Sequence, residues 1–456
     1  MLKRWKRVMG VLLGASMVLG MTACGGADTA ATGDTKSAES QTSSEGSADA
    51  AGTSETSGEA VTLNVWHQWS NDTNELKAKY EEAVAEYMEE NPNVTIHSET
   101  LDTEAYKTKI NAEFAGDADG IDVFYWWGAG TAKKFVEADK LLALDDYITD
   151  DVRSRMLEGS TGAFEYDGKL YSVPMFSWYM TLFCNTELFD EAGAAIPTTY
   201  DELVDAVEKL SQLDGITPMA SGAKDGWNAA FMYQALALRE VGADNVNAML
   251  QGEVPFGEDE GYAEAAQKVI DLYNMGAFGK NPLEGGNDDA NAAFGSGKAA
   301  MRLTGSWYAN SIYTDEQTTI DPENVVAVGI PMIDGKGNAS DYCGGFVESF
   351  WVNKNTAYPE EAAKFAIYIN EKMGVACYET GSGFSGWTTE ADESNLNPLF
   401  IQIKDLLAEG KTGVLAWDTS LDSEPATIHN EQTQTLFAPG ADVDSFIQAH
   451  EDAINN

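Results

Sequence analysis

Val61-Thr62-Leu63-Asn64-Val65-Trp66 alternates apolar and polar residues and predicts a half-buried β-strand. Leu76, Tyr80, Ala83, Val84, Tyr87 and Met88 then recur at the spacing of one helix face, and Asn91-Pro92 stops that helix. Val94-Thr95-Ile96 predicts a second strand. Tyr106, Ile110 and Phe114 mark a second helix, and Ile121 to Tyr125 a third strand. Strand and helix in alternation predict an α/β domain with a mostly parallel sheet. Further on, Tyr171-Ser172-Val173-Pro174 predicts a crossing strand. Thr199 with Glu202 predicts a capping box that opens a helix bearing Leu203, Val207 and Leu210. Val325 to Ile330 predicts a buried strand, and Ala362, Phe365, Ala366 and Ile369 another helix face. The chain from Val61 to Asn456 is too long for one core, so two domains are expected.

The region before Val61 reads differently. Lys3, Arg4, Lys6 and Arg7 precede an apolar run from Val8 to Met21, followed by Thr22-Ala23-Cys24. A basic head, a short apolar core and small residues at the cut predict a secretory signal over residues 1–23. The run falls short of the roughly 20 apolar residues a membrane helix needs. Met21-Thr22-Ala23-Cys24 resembles a bacterial lipobox, with Met21 an uncommon first residue, and implies lipid on Cys24 after cleavage. Gly25 to Ala60 holds no aromatic residue and no Val, Ile, Leu or Met. Such a stretch cannot offset its ordering entropy. Residues 24–60 are therefore expected to tether a folded body to a membrane, spanning roughly 30–36 Å.

Lys plus Arg number 28 and Asp plus Glu 74, a net charge of −46. Loss of the signal removes four bases and no acid. Such a surface repels nucleic acid and anionic headgroups. Only Arg153, Arg155, Arg239 and Arg302 lie beyond the signal, which disfavours a ligand bound through its phosphate or carboxylate. Cys184, Cys343 and Cys377 lack metal or redox spacing and are expected as buried thiols, with one disulfide plus one thiol the alternative. His67, His97, His429 and His450 form no metal motif; neither a metal nor a cofactor is expected.

Other motifs fail on inspection. Phe294 to Ala299 lacks both the first glycine and the Ser/Thr of a phosphate loop. Gly383-Phe384-Ser385-Gly386 is one residue short of a nucleophile elbow. Asp117 to Asp122 lacks the glycine and distant glutamate of a calcium loop. The eleven tryptophans are more pointed. Several are expected just past strand ends, where α/β domains hold ligands. Aromatic faces stack on the C–H face of a sugar while amides and carboxylates take its hydroxyls. Trp66 and Trp351 sit among strand-like apolar residues and are assigned to core packing.

Several segments together resemble the extracellular solute-binding proteins of ABC sugar importers, the group that includes maltose-binding protein. They are the opening strand into Trp66-His67-Gln68-Trp69; Asn91-Pro92-Asn93-Val94; Gly120-Ile121-Asp122-Val123 into Trp126; Tyr171-Ser172-Val173-Pro174 with Leu182-Phe183-Cys184-Asn185; Phe294 with Gly297 to Met301 and Gly305-Ser306-Trp307; and Gly344-Gly345 before Ser349 to Val352. The resemblance implies two α/β lobes that close like a hinge: lobe one over residues 61–173 and 334–385, lobe two over 174–333 and 386–456. It implies Trp307 as a stacking platform in lobe two. It also implies Gln68, Trp69, Trp126 and Trp127 facing the cleft from lobe one. Tyr179, Trp227, Asn228, Gly345, Glu348 and Trp387 are further expected contacts. The expected function is capture of a neutral carbohydrate, an oligosaccharide, for ABC permease subunits, by a monomer lipid-anchored at the extracellular face of a bacterial membrane, with no catalysis. A surface glycoside hydrolase and an adhesion or sensor lipoprotein are the competing readings.

Overall fold

The computed structural model describes residues 59–71 and 74–455. The signal, Cys24 and the tether lie outside the described residues. Thirteen strands follow in chain order: β1 (Val61–His67), β2 (Val94–Thr100), β3 (Val123–Trp127), β4 (Glu165–Tyr166), β5 (Lys169–Leu170), β6 (Phe176–Asn185), β7 (Thr217–Ala220), β8 (Ala299–Gly305), β9 (Val325–Val328), β10 (Asp341–Phe346), β11 (Glu348–Val352), β12 (Phe384–Ser385) and β13 (Thr412–Val414).

The first sheet has the order β11-β3-β1-β2. β1 runs parallel to both neighbours, and β11 returns antiparallel along β3. Helix Glu75–Glu90 buries Leu76, Tyr80, Ala83, Val84 and Tyr87, and helix Thr103–Phe114 buries Tyr106, Ile110 and Phe114. The third strand begins at Val123, two residues later than expected. Gly120 takes φ +90°, and the Asp122 carboxylate accepts the Asn64 backbone N–H at 2.8 Å. These hold the chain in a turn before pairing can start. The strand expected at Tyr171–Pro174 is not formed. Pro174 has no N–H to give a ladder, and the Val173 carbonyl accepts the Ser349 hydroxyl. The crossing strand is instead β6, which leaves the first core at Phe176 and ends in the second.

The second sheet has the order β13-β10-β6-β8-β7, with β9 and β12 also on β6. Thr199 and Glu202 form the expected capping box. β10 pairs with β6 and β13, so the chain returns to the first sheet at Val347 rather than near residue 334. Gly344 and Gly345 permit this crossing. Their φ angles are +140° and +150°, and a Cβ on Gly344 would collide with the Trp178 carbonyl. A third crossing runs through Phe384 to Trp387. Two hydrophobic cores result. One holds Leu63, Tyr80, Tyr106, Phe124, Phe350 and Phe365; the other holds Trp178, Leu203, Phe231, Met301, Val414 and Trp417. No described helix is long and apolar enough to cross a membrane.

Cys184, Cys343 and Cys377 are all free and buried. Burial pushes the Cys343 thiol up to about 12 and raises the other two well above the ordinary thiol value. In the chain carrying Cys24→Ser, a thiol reagent at pH 8 should find no reactive group natively and three after denaturation. A fast-reacting native thiol would contradict this burial.

Candidate functional site

β3 runs slightly past the end of parallel β1, and Gln68, Trp126 and Trp127 lie at the carboxyl edge of the first sheet. β11 begins there too, and its register sets Glu348 opposite Trp127. The Trp127 indole N–H donates to Glu348 Oε1 at 3.1 Å, and the Lys107 ammonium lies 5.0 Å from the Trp127 ring centre. Glu348 is buried. Burial pushes its carboxyl up to about 7, against the nearby Tyr125 hydroxyl, the Trp127 hydrogen bond and the charge of Lys107. Glu348 Oε2 and Gln68 Oε1 are buried acceptors without a hydrogen-bond partner among the described residues.

Gly345 stands three residues before Glu348 and pairs with Trp178 on β6. This short crossing joins the polar edge of the first sheet to an aromatic cluster on the second. The Trp307 ring lies 5.0 Å from Trp178, 6.1 Å from Trp227 and 6.3 Å from Phe231. Trp227 and Trp307 are half-buried, so each keeps surface to offer. The Trp307 ring lies over Gly305, where a Cβ would displace it. Leu415, Asp418 and Asn430 come from the C-terminal region, with Asn430 lying against Gly226, the neighbour of Trp227. Leu415 rests on Gly345, and Asn430 Nδ2 donates to Asp418 at 3.5 Å. Burial raises the Asp418 carboxyl, and Lys107 from the first lobe draws it down. Asn430 Oδ1 is a third buried acceptor without a partner among the described residues. The next residue to it in the helix, His429, links Gln234 to His450 at 2.9 Å on each side. This chain anchors the helix carrying Asn430. Burial holds both imidazoles low and hence neutral.

Five expected contacts are placed elsewhere by their packing. Trp69 is enclosed by His67, Tyr80, Tyr125 and Phe350 and is 5% exposed. Trp387 is 1% exposed, and its indole N–H donates to the Pro174 carbonyl at 2.6 Å. Asn228 is occupied internally: its Oδ1 accepts from Arg302 at 2.9 Å and its Nδ2 donates to Asn287. Tyr179 follows Trp178 on a strand, so it faces the opposite side, against Tyr342 and Phe384. Trp126 is 3% exposed and packs on Tyr106 and Phe135 behind Trp127. Lys107, Phe231, Leu415, Asp418 and Asn430 were not foreseen. None carries a local motif, and the tail residues reach the site only through the fold. A separate pocket of about 260 Å³ lies at the opposite end of β1 and β3. Its Asp122 carboxylate is taken by Asn64 and Thr356. No group of three or more His, Cys, Asp or Glu among the described residues could hold a metal ion.

Residues 70–376 match the family model for bacterial extracellular solute-binding proteins, and the chain belongs to that family. A structure solved in work on xylan utilization by the thermophilic bacterium Caldanaerobius polysaccharolyticus superposes with a TM-score of 0.82 at 34% identity, covering 86% of this chain and 100% of the other. A chitin oligosaccharide binding protein superposes with a TM-score of 0.77 at 23% identity, covering 88% and 100%. The multiple sugar-binding protein of Streptococcus mutans is 23% identical over 68% of this chain and 72% of its own. The two-lobed fold and the family agree with those implied by the motifs from Trp66 to Val352.

Proposed function

We propose that this protein is the substrate-binding receptor of an ABC importer and captures a neutral oligosaccharide between its lobes. The supporting observation is the pairing of Trp127, Trp227 and Trp307 with three unpartnered buried acceptors, Gln68 Oε1, Glu348 Oε2 and Asn430 Oδ1. Buried acceptors without partners demand donors from a ligand. A sugar brings hydroxyl donors around its rim and apolar C–H faces for the rings. Phosphate or carboxylate ligands do not suit it. Among the described residues the site offers one cation, Lys107, already hydrogen-bonded to Glu104. Both buried arginines, Arg239 and Arg302, are committed to carbonyl and amide oxygens.

The receptor transforms nothing; it hands its ligand to permease subunits. Lipid on Cys24 anchors it at the extracellular face of the bacterial membrane, and the tether over residues 25–60 keeps it near the permease at raised effective concentration. Lobe one comprises the first sheet and its helices, lobe two the second sheet with the C-terminal helices. A thermal-shift screen of the mature protein against neutral oligosaccharides, uronates, amino acids and metal chelates tests this reading. Neutral oligosaccharides should raise the melting temperature and be recovered intact. Shortened products would favour a hydrolase, and stabilisation only by an amino acid or chelate would overturn the reading.

A further inference from the structure

Helix Gly130–Glu137 leaves β3 through Gly128 and Ala129. Ala129 sits at φ +50° and ψ −134°, a conformation costly for a residue with a Cβ. Neighbouring structure holds it there: its N–H donates to the Ala163 carbonyl at 2.7 Å, and its carbonyl accepts the Tyr166 hydroxyl at 2.7 Å. The sharp turn aims the first helical residue at lobe two. A Cβ on Gly130 would overlap the carbonyl oxygens of Ser420 and Leu421. These are backbone atoms and cannot swing aside. One turn along, the Lys133 ammonium donates to both carboxylate oxygens of Asp422 at 2.9 Å. Ala132 and Phe135 of this helix belong to the first core, Trp417 and Leu421 to the second. The contact therefore joins the lobes without touching the Trp307 cluster.

We propose that this seam is the closure latch of the receptor, with Gly130 and the Lys133–Asp422 pair as positioning residues that set how long a captured ligand is held. The inference rests on the reading that the lobes close on a ligand. A binder can gain from closure only as much as the closed state is favoured over the open one. A Cβ at position 130 raises the free energy of the closed state and leaves each lobe's own core untouched. The ion pair is exposed, so its share is small and sensitive to salt.

The test uses the full mature chain and an oligosaccharide that stabilises it in the screen. Gly130→Ala should weaken binding at least about tenfold, chiefly through faster dissociation, with the ligand-free melting temperature unchanged. Lys133→Glu and Asp422→Lys should each weaken it about two- to fivefold at low salt, and their combination should restore it. Unchanged affinity in Gly130→Ala would overturn the proposal. So would a lower ligand-free melting temperature with affinity intact, which marks a permanent contact rather than a latch. If the wild type binds no oligosaccharide, the carbohydrate reading fails separately. The same Gly130→Ala comparison with whichever other ligand of the screen stabilises the wild type then decides the seam: faster dissociation supports it, and unchanged affinity overturns it.

Discussion

Trp307→Ala is expected to abolish most ligand affinity, by roughly 30-fold or more. Truncating a well-packed tryptophan at the centre of a binding surface costs about 2–4 kcal/mol, and each 1.4 kcal/mol is tenfold. Two features make the effect large. Trp307 stands on Gly305 with Trp178, Trp227 and Phe231 around it, so its ring is held before any ligand arrives. The ring is also only half-buried, so it keeps surface for a ligand to cover. Trp307→Phe keeps part of the surface and should recover part of the affinity. Calorimetry on variants confirmed to be folded measures both. Alanine binding as tightly as tryptophan would remove Trp307 from the site.

The second large effect concerns stability. Arg302 is 1% exposed, and its guanidinium serves five oxygens: Asn228 Oδ1, Asn287 Oδ1, Asn291 Oδ1 and the carbonyls of Ala220 and Leu303. Burial lowers its pKa to about 10, which still leaves it charged at neutral pH. Arg302→Met keeps the aliphatic bulk and removes every donor. The side-chain amides and carbonyls then stay buried with fewer partners. Breaking such a buried arrangement costs about 3–5 kcal/mol. Urea denaturation of the lobe-two transition should show that loss, whereas a change under about 1 kcal/mol would mean water reaches these oxygens. Asn228→Ala belongs to the same network and should lower stability more than affinity.

The contrast between Trp307 and Asn228 explains what sequence can carry. Trp307 is singled out by the family resemblance that Gly305-Ser306-Trp307 carries, and not by local spacing. Asn228 also looks like a contact residue beside Trp227, but its partner Arg302 lies 74 positions away, beyond local pattern. Trp387 is similar: the Pro174 carbonyl that takes its indole N–H is 213 residues distant. Trp69 follows Gln68 out of β1, yet the ring folds back under Phe350. Helix faces such as Leu76–Tyr80–Tyr87 were legible because periodicity reports burial directly. Strand limits at Ile121 and Val173 were not, because a carboxylate bond and a proline decide them. Lys107, Asp418 and Asn430 gather from separate elements, and only the tertiary arrangement unites them.

The decisive experiment is calorimetric titration of the purified mature receptor with neutral oligosaccharides of increasing length. Saturable one-to-one binding should strengthen with length until the aromatic cluster is covered, with the carbohydrate returned unaltered. Silence from every neutral oligosaccharide, together with binding of an amino acid or a metal chelate, would contradict it.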